Sequence, residues 1–173
     1  MDFTLKIAVH VLRELKAAGY TFRSVADYLE NPANNSVILR HDVDRLPQNS
    51  LSMAKREAEK GIKGTYYFRI TPSVYQVEMI KAIANMGHEI GYHYEDFTST
   101  KGDWELAILS FEKNLEKLRT IFPVKTICMH GSPLSKFDNR MLWQKYNYRD
   151  YGIIGEPYLD VDFNEVFNRK GNF

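Results

Sequence analysis

Two acids and two histidines fall where apolar runs give out. Asp42 and Asp44 sit in Arg40-His41-Asp42-Val43-Asp44-Arg45, after Val37-Ile38-Leu39; His93 closes Gly87-His88-Glu89-Ile90-Gly91-Tyr92-His93, and His130 closes Lys125-Thr126-Ile127-Cys128-Met129-His130. On an extended strand side chains alternate between faces, so Ile38, Arg40, Asp42 and Asp44 share one side while Val37, Leu39, His41 and Val43 share the other. Carboxylates held that close either raise a pKa or take up a cation, and a nearby imidazole favours the cation. The competing reading is that Asp42 caps the next helix and Asp44 is simply solvated, because Asp is common in turns after strands.

The elements that must position these residues alternate between strand and helix. Residues 3–17 have a helical period and stop at Gly19, and residues 22–29 read as a second short helix, giving a helical extension over about residues 1–30. The first strand then reaches Asp42; Pro47 suits a helix start, Leu51, Ala54 and Ala58 share a face, and Gly61 closes that helix. Residues 64–69 form an aromatic strand, followed by a helix with Val77, Ile80 and Ala84 inside and Gly87 as its stop. Residues 88–93 are the third strand. Asp103 caps the longest helix, where Trp104, Ile108, Phe111, Leu115, Leu118 and Phe122 recur at spacings of three and four as a core stripe, and Pro123 ends it. A fourth strand at residues 125–130 turns at Gly131-Ser132-Pro133, and weaker strands follow near residues 148–154 and 165–167. Strand–helix alternation predicts an α/β fold with a mainly parallel sheet, and such sheets bind ligands beyond the carboxyl ends of their strands. Asp42, Asp44, His93 and His130 all fall there.

In order and spacing, His41-Asp42-Val43-Asp44, then Gly64-Thr65-Tyr66-Tyr67-Phe68, then Gly87-His88-Glu89-Ile90-Gly91-Tyr92-His93 resemble the polysaccharide deacetylase family of carbohydrate esterases, over about residues 36 to 133. The resemblance implies a distorted, incomplete (β/α) barrel of about six strands, and removal of an acetyl group from an N-acetylated sugar with one divalent metal. It implies Asp42 as general base and Asp44 and His93 as metal ligands. Two departures accompany the match. The family's third ligand, a histidine four residues after the first, is replaced by Phe97, and no histidine follows His130 to serve as the late leaving-group acid. His130 is the preferred third ligand, because an imidazole at a strand end suits zinc, cobalt or nickel; Glu95 and Asp96 are the fallback. In the family the matching place carries an arginine that orients the base, so a substrate contact or an acid remains the other role for His130.

Other residues carry plainer readings. His41 faces away from the acids, His88 alternates away from His93, and His10 lies on a helix. Ser132 and Ser135 have no base at nucleophile spacing. Arg69, Asp150 and Glu156 are candidates to line a pocket without an assigned role. Tyr92, Tyr94 and Trp143 offer flat faces for a sugar ring, against the default that such aromatics pack in a core.

The 173 residues suit a single domain spanning 1–173. With 23 Lys+Arg against 22 Asp+Glu and no basic stripe, nucleic acid is not the natural partner. The lone Cys128, in an apolar stretch, reads as a small buried residue and fits a cytoplasmic setting; charges scattered through the first twenty residues argue against a membrane span or signal core. The strand count falls short of a closed barrel, so the chain reads as a truncated form whose open seam suits a homodimer. Three functions follow: a metal-dependent deacetylase, a catalytically silent carbohydrate-binding relative, or a scaffold for partner contacts.

Overall fold

The computed structural model describes residues 4–161 and opens with helix α1 (Leu5–Ala17), capped by the Thr4 hydroxyl, which accepts from the Ile7 N–H. The segment expected as a helix from residue 22 starts instead as a strand, β1 (Thr21–Arg23), before helix α2 (Val25–Glu30). Thr21 and Phe22 suit a strand, and Ser24, accepting from the Asp27 N–H, fixes the helix start behind them.

The first expected strand is also divided. β2 (Ser36–Ile38) runs parallel to β1, whereas β3 (Arg40–Val43) runs parallel to β4 (Thr65–Phe68). Leu39 is the joint: its N–H donates to the Arg23 carbonyl at 3.2 Å, and its own carbonyl accepts from the Thr65 N–H at 2.9 Å. The main sheet has four parallel strands in the order β3-β4-β5-β6, completed by β5 (Glu89–Tyr94) and β6 (Ile127–Met129). It curls into a half-barrel beside the small β1–β2 sheet, the distorted and incomplete barrel expected from the sequence.

Register assigns the faces. Tyr66, Phe68, Ile90, Tyr92, Tyr94 and Ile127 turn outward into the large core beneath helices α3 (Pro47–Ala58), α4 (Val77–Asn85) and α6 (Trp104–Arg119). Tyr92 and Tyr94 pack on Phe111 and are fully buried core, and Trp143 packs partly buried on Tyr94 and Phe111. The inner face is polar and shallow. Tyr67 and Cys128 pack there on Val25 of α2, and the Tyr67 ring crosses Gly91 to donate to the Thr126 hydroxyl at 3.0 Å. A Cβ on Gly91 would meet that ring at 2.3 Å, which is why the strand leading to His93 carries glycine there. Below it, Glu89 accepts from Thr65, Thr126 and the Ala26 N–H, tying α2 across the narrow end of the half-barrel.

His41 and His88 serve the outer layer, as expected. His41 pairs with the buried Glu57 of α3 at 2.7 Å, Tyr66 donates to the same carboxylate, and His88 bonds the Ala54 carbonyl and the Gly64 N–H.

The strand expected near residues 148–154 is a 3₁₀ helix over Tyr148–Tyr151, started by Asn147, whose side chain accepts from the Arg149 N–H. After Gly152 the chain does run beside β6: Thr126 and Gly155 form a parallel bridge, and the Ile127 N–H donates to the Gly155 carbonyl. The strand expected at 165–167 lies outside the described residues. Helix α7 (Pro157–Asp160) follows the bridge, with helix α5 (Asp96–Ser99) placed earlier, directly after β5. Among the described residues no helix is long and apolar enough to cross a membrane.

Glu156 replaces a backbone partner at this edge: its Oε1 accepts from the Met129 N–H at 2.9 Å, while Oε2 is buried without a partner. Burial lifts this carboxyl from 4.5 to about 7. Between those values the folded protein keeps a proton that the unfolded chain has released, so this group makes stability fall as pH rises through the window and level off above it. Glu156→Gln is expected to remove that slope, worth on the order of 3 kcal/mol between pH 5 and 7.5; urea unfolding of both proteins at the two pH values measures it.

Candidate metal centre

Three ligand atoms from three different strand ends converge at the open end of the half-barrel. Asp44 Oδ1 lies 3.3 Å from His93 Nε2 and 3.0 Å from His130 Nδ1, and the two ring nitrogens are 3.3 Å apart. Asp44 follows β3, His93 belongs to β5, and His130 follows β6, its N–H donating to the Tyr94 carbonyl at 2.8 Å. Metal–ligand bonds of about 2.0–2.2 Å place tetrahedral ligand atoms roughly 3.3–3.5 Å apart, close to these separations.

Protonation points the same way. His93 is buried and its Nδ1 lies 2.9 Å from the Cys128 carbonyl; a carbonyl can only accept, so Nδ1 carries the hydrogen and Nε2 turns its lone pair toward Asp44. Asp44 Oδ1 is itself buried with no hydrogen-bond partner. An acceptor oxygen facing an acceptor nitrogen is repulsive until a cation stands between them. A cation relieves that repulsion, whether a metal ion or a second proton on the His93 ring; the hydrogen bond and charge of the protonated ring hold the Asp44 carboxyl below its ordinary range, against burial. Burial, then the Arg69 guanidinium, lower the pKa of His130, so its ring is a neutral donor of electron pairs.

His93 also shares a second grouping, with Asp42 and Cys128, whose ligand atoms lie within 4.8 Å of one another. That position already has its cation. Arg40 donates to Cys128 Sγ, approaches Asp42 Oδ2 at 3.5 Å, and donates to the Tyr158 hydroxyl at 2.8 Å with its guanidinium 4.8 Å over that ring. Burial and then Asp42 push the Cys128 thiol up, away from the thiolate a metal needs. The oxygen–nitrogen set of Asp44, His93 and His130 is therefore the one whose chemistry fits an ion.

Asp42 stays solvent-accessible beside this set. The two acids do not share one partner: Asp42 turns to Arg40 and Asp44 to the imidazoles. Two clefts, of about 300 and 630 Å³, open on the His130 side and share Gly131, Ser132, Pro133 and Ser135; Arg45, Thr98 and Ser99 line the larger.

The fallback ligands are otherwise engaged. Glu95 takes two hydrogen bonds from Arg69, and Asp96 is buried under α5, accepting from Tyr92, Ser110 and Asn114. Phe97 points into the core against Trp104 and Phe137, because the chain leaves β5 as a short helix that turns this position inward. Among the residues without an assigned role, Arg69 lies at the site, Glu156 behind it, and Asp150 is exposed on the 3₁₀ helix. Arg40 and Tyr158 went unremarked. Arg40 was marked only by sharing a strand face with Asp42; Tyr158, more than a hundred residues away, carried no signal.

No family model matches the sequence, and no curated protein matches it. Among solved structures, the deacetylase PplD of Streptococcus pyogenes, determined in complex with acetate, aligns with a TM-score of 0.64 at 16% identity, covering 84% of this chain and 70% of that one. The chain has the fold of this streptococcal deacetylase. The fold expected from the motif resemblance thus has a counterpart in three dimensions.

Because Phe97 faces the core, Phe97→His is expected to place a polar ring among aromatics and to lower stability by about 2–4 kcal/mol without strengthening metal binding. Denaturant unfolding and a metal titration of the same variant check both halves.

Proposed function

We propose that the chain is a single-domain, metal-dependent hydrolase that removes an acetyl group from an N-acetylated sugar or a related amide. One observation carries the reading: three electron-pair donors, one an orphaned carboxylate oxygen, meet near the solvent-accessible Asp42 carboxylate, and one of them, His130, lines the adjoining clefts. Asp44, His93 and His130 would hold the ion, with zinc favoured by the nitrogen-rich set and cobalt or nickel as alternatives. Once bound there, the ion supplies Lewis acidity to an amide carbonyl and a nucleophile at neutral pH.

The chain's own residues do the rest. Asp42 accepts a proton from the attacking water, and the Arg40 guanidinium, anchored by Cys128 and Tyr158, fixes the orientation of that carboxylate. Hydroxyl lands on the acyl carbon, the carbon–nitrogen bond breaks, and the amine needs a proton. Asp42, beside the site, returns the one it took. His93 keeps its lone pair forward through its bond to the Cys128 carbonyl. The solved relative supports the choice of acyl group, since acetate is what hydrolysis of an acetyl group releases.

Elemental analysis of protein purified without chelators is expected to find about one divalent ion per chain, lost from Asp44→Ala, His93→Ala and His130→Ala. Asp42→Asn is expected to retain the ion and lose about 10²–10⁴-fold in the rate of acetate release from N-acetylated oligosaccharides. Sugar binding by metal-free wild-type protein, with no acetate release after metal is added, would favour the silent carbohydrate-binding reading instead.

A further inference from the structure

Asp44 and Arg69 occupy equivalent places, each one residue past the ladder pair Val43–Phe68 that ends β3 and β4. Strand order sets Arg69 between Asp44 and His93, because β4 lies between β3 and β5. Its guanidinium spans the gap. Nε and Nη2 donate to the two oxygens of Glu95 at 3.1 and 2.6 Å, while Nη1 reaches the Asp44 carbonyl oxygen at 3.5 Å. Glu95 stands two residues beyond His93, so one planar cation ties the backbone that presents the carboxylate to the strand that presents the imidazole.

The turn it grips is under strain. Leu46, two residues past Asp44, adopts a left-handed φ of 41° and starts α3 with no side-chain cap; the residue is 65% exposed, so the backbone of the turn, not side-chain packing, holds it there. An isolated arginine beside a divalent ion would repel it. Glu95 offsets part of that charge, leaving a clamp whose effect on the ion is chiefly geometric.

We propose that Arg69 is a positioning residue for the metal: pinned by Glu95, it fixes the Asp44 turn so that the carboxylate meets His93 and His130. This rests on the metal-centre reading above. The test is zinc affinity, measured by competition with a chromophoric chelator, for wild type, Arg69→Met, Arg69→Lys and Glu95→Gln, with unfolding midpoints recorded alongside. Arg69→Met is expected to bind zinc about 10–100-fold more weakly, as loss of an orienting partner does. Arg69→Lys is expected to recover only part of this, since an ammonium cannot hold a carboxylate in two places and a carbonyl as well. Glu95→Gln, which keeps the shape and one acceptor, is expected to weaken binding several-fold, and it decides the matter should Arg69→Met not fold. Unchanged affinity in the variants overturns the proposal, and so does tighter binding by Arg69→Met, which would mean that the guanidinium acts on the ion only as a repelling charge. Absence of zinc binding by wild type overturns the metal-centre reading itself, so the two failures are told apart.

Discussion

The hydrogen bond from His93 Nδ1 to the Cys128 carbonyl is the constraint around which the open end of the half-barrel is arranged. It crosses between paired residues of β5 and β6, so it depends on the parallel register itself. By committing one ring nitrogen to a backbone acceptor it leaves the other as a lone pair, aimed at Asp44 and His130. The same register sets Gly91 two residues earlier on the same face, where the missing side chain lets Tyr67 cross to Thr126 and hold β4 and β6 at their spacing. Ring orientation, sheet register and a glycine are one arrangement.

Above that bond the charges are sorted rather than pooled. Arg40 sits between Asp42 and Cys128 and keeps that side of His93 closed to a second ion. Arg69 is paired with Glu95 on the other side. What stays without a hydrogen-bond partner is Asp44 Oδ1 beside two imidazoles, and a buried acceptor without a donor is costly. The carboxylate of Asp42 is held by Arg40 but not buried.

The unclosed seam of the sheet is covered by different means. Where further strands of a barrel would stand, the edge of β6 meets a single bridge at Gly155 and then the Glu156 carboxyl in place of a backbone acceptor. Tyr158, on the short helix that follows, reaches Arg40 across the interior. A segment of a few residues thereby links the edge of the sheet to the carboxylate beside the metal centre. On the opposite edge, Leu39 hands the chain from one small ladder to the main sheet.

Much of this was legible in the chain. Alternating strands and helices, the caps at Asp103 and Gly87, the apolar stripe from Trp104 and the placement of Asp44, His93 and His130 at strand ends follow from local periodicity and turn chemistry, which act over a few residues. Local signals also misled. Residues 22–29 and 148–154 carry patterns compatible with either element, and their outcome was set by caps at Ser24 and Asn147 and by what lay alongside. The packing of Phe97 in the core was likewise undecidable from spacing, since the turn after β5 rotates the chain by an amount the sequence does not express, whereas Tyr92 and Tyr94 fall opposite His93 by strand alternation. Residue type and order alone determined which donors stood at the ends of strands. Only the tertiary structure decided that His130 meets Asp44 and His93 while Phe97 turns into the core, that Arg40 reaches Tyr158 and that Arg69 bridges Asp44 and Glu95, because those contacts join residues far apart in the chain and exist only once the sheet has set their distances.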